Sequence, residues 1–110
     1  MGKQAMQEPT FLILTALAAG PQHGYGIMTD AAGISGERVR LRAGTLYAAL
    51  DRLRDEGLID VDREEVVDGR LRRYYRLTGH GIAMLEAEVA RMEASARVAV
   101  TRLKTLGTEA

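Results

Sequence analysis

Apolar positions along this 110-residue chain switch from a helical period to an alternating one and back again, and each switch marks an element. After Pro9-Thr10, the residues Phe11, Leu14, Leu17 and Ala18 recur at helical spacing until Gly20-Pro21 ends the run, predicting a core helix. Gly24-Tyr25-Gly26 leads into a second, shorter helix over residues 27–32, limited by Gly33 and followed by the polar loop Ser35-Gly36-Glu37. A third helix places Leu46, Leu50 and Leu53 on one face, with Thr45, Tyr47, Ala48, Asp51, Arg52 and Asp55 on the flanks and the opposite face. Gly57 stops it. Two β-rich runs over residues 58–63 and 70–77 then join through Asp68-Gly69, a strong hairpin signal.

From Thr78, a capping residue, the period returns to helical for the rest of the chain. Ile82, Leu85, Val89, Met92, Ala96, Ala99, Leu103 and Leu106 follow a 3-4-3-4-3-4-3 spacing. A stripe of that regularity favours coiled-coil-like packing against another long helix, and no other long helix is predicted, so the partner is expected to be a second copy. The expected fold is mainly α with a small β-hairpin (α+β). Residues 9–77 form a winged helix-turn-helix and residues 78–107 a C-terminal dimerisation helix. Its dimer contacts are Ile82, Leu85, Val89, Met92, Ala96, Ala99 and Leu103. The connection from Gly33 to Leu41 is longer than in the tightest helix-turn-helix, which winged variants tolerate.

Composition narrows the classes. A chain this short makes one domain that buries only about two-thirds of its unfolded surface, so a long uncovered apolar face again favours a dimer. With no cysteine there is no disulfide framework or thiolate site, and neither a signal peptide nor a membrane span is read. The protein is therefore expected in the reduced cytoplasm, without membrane contact. Net charge is zero, so bulk charge does not argue for nucleic acid. Its distribution does: residues 38–76 hold ten basic and eight acidic residues, and all ten are arginine. Arg38, Arg40 and Arg42 alternate before the third helix, while Arg70, Arg72, Arg73 and Arg76 line the second strand. Arginine's planar fork suits phosphates and guanine edges. Asp60, Asp62, Glu64, Glu65 and Asp68 lie close enough to pair with them across the strands instead.

Individual residues are assigned by face. Arg42, Thr45, Tyr47, Ala48 and Arg52 on the third helix, with Arg70 and Arg72 on the wing, are the expected DNA contacts. Tyr47 has a competing role in packing over the wing, and Thr45 in stabilising the helix start. Tyr75 shares a strand face with Leu71 and Leu77 and is expected in the core. Arg73 lies on that inward face and is expected to pair with a carboxylate.

Three clusters together resemble the PadR family of transcriptional regulators: His23-Gly24-Tyr25-Gly26-Ile27; Gly44-Thr45-Leu46-Tyr47 with Leu50, Leu53 and Glu56-Gly57-Leu58-Ile59; and Arg72-Arg73-Tyr74-Tyr75-Arg76-Leu77-Thr78 with Gly81. The likeness runs from about Pro9 to Leu106 and is to the short group with a single C-terminal helix. It implies a dimeric winged-helix protein that binds double-stranded DNA, usually as a repressor, and in many members is released by a phenolic or drug-like effector. Ala48 stands where the family often has proline. The chain also lacks the tryptophan on which drug-binding relatives stack aromatic ligands.

Catalysis is not expected. His23 and His80 are far apart in sequence and have no metal-ligand spacing, and Gly24-Tyr25-Gly26 is too short for a phosphate loop, so neither a metal nor a cofactor is assigned. The rival class is a winged-helix protein-interaction module without DNA binding. The arginines of the wing speak against it, since a protein-binding wing more often exposes apolar residues.

Overall fold

The computed structural model describes residues 5–107. Its elements follow in the order α1 (Glu8–Ala18), β1 (Gln22–His23), α2 (Gly24–Ile34), α3 (Ala43–Asp55), β2 (Ile59–Val67), β3 (Arg70–Leu77) and α4 (Gly79–Thr105). The strands form one antiparallel sheet in the order β1-β3-β2. This is an α+β winged helix-turn-helix with a long final helix.

The three leucines of α3 are fully buried, as their spacing requires. They meet Ile13 and Leu14 of α1 and Ile27 and Ala31 of α2 in one core. Helix α1 departs from the expected single stripe. Leu12, Ile13 and Ala16 are buried along with Leu14 and Leu17, whereas Ala18 is exposed and Phe11 is only partly covered. The cause is that α1 is packed by α2, β3 and α4 together, so it has almost no solvent face. Helix α2 begins earlier than expected and runs through Gly33. The chain turns only at Gly36 (φ 63°) and Glu37 (φ 66°).

Helix α3 ends where Gly57 adopts φ 76°, with Gly57 N–H donating to the Arg54 carbonyl and Leu58 N–H to the Leu53 carbonyl at 2.9 Å. Leu53 and Leu58 are both buried across this C-cap. The hairpin turns at Asp68 (φ 53°) and Gly69 (φ 73°), the doubly left-handed geometry that matches strand twist. Strand β2 runs to Val67, beyond the expected end at Arg63. An irregularity at Asp62 shifts its register against β3, so that Val61 pairs with Tyr75 but Arg63 with Tyr74. The short β1 was not expected at all, since two residues carry no period. Tyr75 is buried and Arg73 donates to Glu64 at 2.9 Å, but Leu71 on the same face is exposed. The hairpin overhangs the core by that point, so alternation gives the face correctly and the burial wrongly.

The exit from the wing is tightly bonded. Thr78 caps α4 by accepting from Gly81 N–H at 3.0 Å, and its hydroxyl donates to the Gly57 carbonyl at 2.6 Å. Thr78 N–H donates to the Leu58 carbonyl at 3.1 Å. A methyl group on Gly81 would stand 2.0 Å from that same carbonyl oxygen. Helix α4 lays Gly81, Met84, Leu85 and Glu88 on the domain and then leaves it, and every residue over 89–107 is exposed. The molecule therefore measures 60 × 32 × 21 Å.

Because backbone cannot move aside as a side-chain tip can, Gly81→Ala is expected to cost about 3 kcal/mol or more. Gly79→Ala, two residues earlier with nothing within 4 Å, is expected to be neutral or slightly stabilising. Urea unfolding of the two variants checks the contrast.

Candidate nucleic-acid interface

A groove of about 850 Å³ lies between α3, the start of α2 and the wing. Tyr47 and Asp51 line it from α3, His23, Gly24 and Tyr25 from the β1–α2 junction, and Arg70, Leu71, Arg72 and Arg73 from β3. Tyr47 and Asp51 are four residues apart, one helical turn, which puts both on the wing side of α3. Tyr47 is 48% exposed. Its hydroxyl lies against Gly24 rather than over the hairpin, close enough that a methyl group built on Gly24 would stand 2.4 Å from it.

The junction itself is ordered by His23. Its Nδ1 accepts from Gly26 N–H at 3.3 Å and so caps α2, while the ring meets Tyr74 of β3 edge-on at 5.3 Å. Burial, and secondarily the positive charge of Arg72, hold this imidazole below its ordinary pKa. The neutral form is thus the one that fits.

The arginines divide sharply. Arg38 makes a two-pronged pair with Glu8, Arg40 pairs with Glu37 at 2.6 Å, and Arg73 with Glu64 at 2.9 Å. Arg76 lies 3.6 Å from Asp60 and 3.9 Å from Asp62. Arg63 bonds Glu65 at 2.8 Å and Asp62 at 3.0 Å, with its guanidinium 3.9 Å over the Tyr74 ring. These pairs draw Glu8 and Glu65 below the ordinary carboxylate pKa, chiefly through the hydrogen bonds from Arg38 and Arg63. Among the described residues, Arg42, Arg54, Arg70 and Arg72, together with Arg97 and Arg102 on α4, enter no ion pair.

The expected DNA contacts are therefore not all in one place. Arg42 precedes α3 as its N-cap without a capping side chain, and no acidic residue follows in the first turn. Thr45 and Ala48 are exposed on α3, with Ala48 opposite the leucine face. Tyr47, Arg70 and Arg72 share the groove. Arg52 does not: its guanidinium donates to Thr10 Oγ1 of α1 at 2.9 Å and lies 3.4 Å from Glu56, on the flank away from the wing. Sequence reasoning omitted Gly24, Tyr25 and Asp51 from this groove. Only the Tyr47–Asp51 spacing signalled any of them, because the approach of α2 to α3 is a tertiary contact.

On α4, the expected dimer contacts Ile82, Val89, Met92, Ala96, Ala99 and Leu103 are exposed, and Leu85 is half-covered by its own domain. Glu88 is only 8% exposed and holds Arg91 at 3.0 and 2.5 Å while facing the N–H of Met6, which keeps its carboxylate below the usual range. No described helix is long and apolar enough to cross a membrane. No described group of His, Cys, Asp and Glu residues has a metal-holding arrangement.

Residues 13–87 match the sequence model of the transcriptional regulator PadR-like family. A transcriptional regulator of Mycobacterium tuberculosis, Rv3488, is 44% identical over 85 residues, covering 77% of this chain and 76% of that protein. A PadR family transcription regulator from Clostridium difficile superposes with a TM-score of 0.71 at 27% identity, over 88% of this chain and 99% of that one. Bacillus subtilis PadR in complex with operator DNA does so with a TM-score of 0.67 at 25% identity, over 76% of this chain and 47% of that one.

His23 gives the site a pH signature. Its pKa is lowered on folding, so between its unfolded value of about 6.5 and its folded value the unfolded chain binds the proton first. Stability present above pH 6.5 is then lost as pH falls. His23→Asn keeps a capping acceptor and removes the titration. Urea midpoints of the two proteins should draw apart from pH 7 to pH 5 in favour of the variant.

Proposed function

Because this chain belongs to the PadR-like family of transcriptional regulators, we propose that it works in the cytoplasm as a homodimeric repressor reading an inverted-repeat operator in double-stranded DNA. The observation that carries this reading is the set of arginines left without a carboxylate. Arg42 at the start of α3 and Arg70 on the wing keep their charge for a partner, and Arg72, though it faces Glu65 across the strands, makes no close ion pair, while most of their neighbours are neutralised internally. In this reading the exposed face of α3 enters the major groove with Thr45, Tyr47 and Ala48, and the wing arginines meet flanking phosphates or a narrow minor groove. Arg52, tied to α1, acts from the far flank. The relative of the same fold seen in complex with operator DNA supports DNA binding.

The dimer rests on α4, residues 78–107 serving as the association segment. At 27 residues it is about 40 Å long, and over half of that length has no cover in the monomer. Its charges favour an antiparallel pair, since Glu86 lies toward the start of the helix and Arg97, Arg102 and Lys104 lie in its second half. Antiparallel register also sets Val89 against Ala99 and Met92 against Ala96, large against small, with Ile82 against Leu106 and Leu85 against Leu103. Two reading helices are then presented to major grooves about 34 Å apart. A small-molecule effector, if one exists, would release the DNA by tilting the halves and changing that distance.

A second reading has one observation in its favour. Val66 and Leu71, paired across the wing, are 73% and 64% exposed, an apolar tip of the kind that suits a protein partner. Selection of duplexes from a random pool by the purified protein decides between the two. Enrichment of an inverted repeat supports the regulator, and a pool left unchanged at every salt concentration supports the interaction module.

Two variants test the parts. Arg70→Ala should weaken binding to all duplexes and flatten log affinity against log salt by roughly two units, one per subunit, in anisotropy titrations. Ala96→Asp with Ala99→Asp puts four charges into the paired seam but only solvent-exposed carboxylates on a monomer. Light scattering should give a monomer that retains the wild-type circular dichroism per residue. A wild-type monomer at tens of micromolar would refute this interface.

A further inference from the structure

The segment His23-Gly24-Tyr25-Gly26 is explained only in part by the cap that His23 provides. Gly24 is buried, opens α2, and lacks the positive φ that would demand a glycine. What it does is leave room. A methyl group there would stand 2.4 Å from the Tyr47 hydroxyl oxygen, 2.8 Å from Cζ and 3.1 Å from Cε1, all atoms of the outer half of one ring. That ring has solvent on its other side, so a crowded Tyr47 can swing outward.

The contrast with Gly81 is instructive. There the obstacle is a backbone carbonyl that belongs to the wing junction, and nothing can yield. At Gly24 the obstacle is a half-exposed side chain at the mouth of the groove. Folding alone therefore gains little from the missing methyl group, whereas the position of Tyr47 depends on it.

We infer that Gly24 is a positioning residue for DNA recognition: its bare Cα is the seat that holds the Tyr47 hydroxyl against the first turn of α2. Held there, the phenol meets the duplex from a fixed place, ordered before binding rather than during it. The seat also ties the reading helix to the wing, because the next residue back, His23, packs on Tyr74 of β3. This inference rests on the regulatory reading above and adds a residue that has no DNA contact of its own.

The test is a double-mutant cycle between Gly24→Ala and Tyr47→Ala, read with the inverted-repeat duplex enriched by the wild-type protein and a scrambled duplex at the same salt. Gly24→Ala should shift the melting temperature by less than about 5 °C. It should lower operator affinity at least tenfold, equivalent to about 1.4 kcal/mol. In the Tyr47→Ala background the same substitution should change neither. A fluorine label on the tyrosines should show the Tyr47 resonance displaced in free Gly24→Ala, which reads the seat without DNA.

Additive losses in the double mutant, an unmoved Tyr47 resonance, or a wild-type isotherm for Gly24→Ala would each overturn the seat. A collapse of stability in both Gly24→Ala and the double variant would make Gly24 a folding residue and overturn it as well. If the wild-type protein prefers no duplex, the regulatory reading fails, and this role for the seat fails with it. That outcome is distinguishable because it appears before any variant is made.

Discussion

Thr78 and the backbone of Gly57 and Leu58 form the point from which the rest of the molecule takes its direction. Through a few hydrogen bonds and one missing methyl group, the end of α3, the start of β2, the end of β3 and the start of α4 meet at a single place. No apolar contact fixes angles as well, since an N–H or O–H donor must point nearly straight at its acceptor and a buried carbonyl must be satisfied. The course of α4 relative to α3 is settled there. In the proposed dimer, the separation of the two reading helices is α4 geometry multiplied through that joint, so a small error at Thr78 would become a large one at the DNA.

The wing shows how a chain of zero net charge can still present positive groups. Carboxylates are placed opposite or beside particular arginines: Glu64 for Arg73, Asp60 and Asp62 for Arg76, Asp62 and Glu65 for Arg63. Such exposed pairs add little stability, typically below about 1 kcal/mol each. Their effect is to decide which cations remain available. In the proposed complex, Asp51 and Asp68 in the groove would repel a misplaced phosphate, sharpening where a backbone can lie.

Much of this architecture was legible in the residues. Leu46, Leu50 and Leu53 gave α3 because one buried face imposes one period, Asp68-Gly69 gave the turn because few pairs tolerate two left-handed residues, and Thr78 gave the start of α4 through its cap. What escaped was whatever depends on elements meeting. Strand β1 exists only because β3 has a free edge, α1 is buried over most of its surface only because three elements surround it, and Leu71 is bare only because the hairpin outruns the core. The same holds in the groove. The split between paired and unpaired arginines, the attachment of Arg52 to Thr10 and the place of Tyr47 on Gly24 are distances between segments far apart in sequence, to which no local spacing points.

Strand β2 is an edge strand of the sheet, bent by the irregularity at Asp62 in its pairing with β3 and charged through the run Asp60-Val61-Asp62-Arg63-Glu64-Glu65. An open edge is a template for strand addition by any other extended chain, and it is blunted most effectively by dense charge and a local twist. Both are present. In the proposed dimer, copies of the chain can thus be drawn together through the exposed stripe of α4 without their sheets joining edge to edge into fibres.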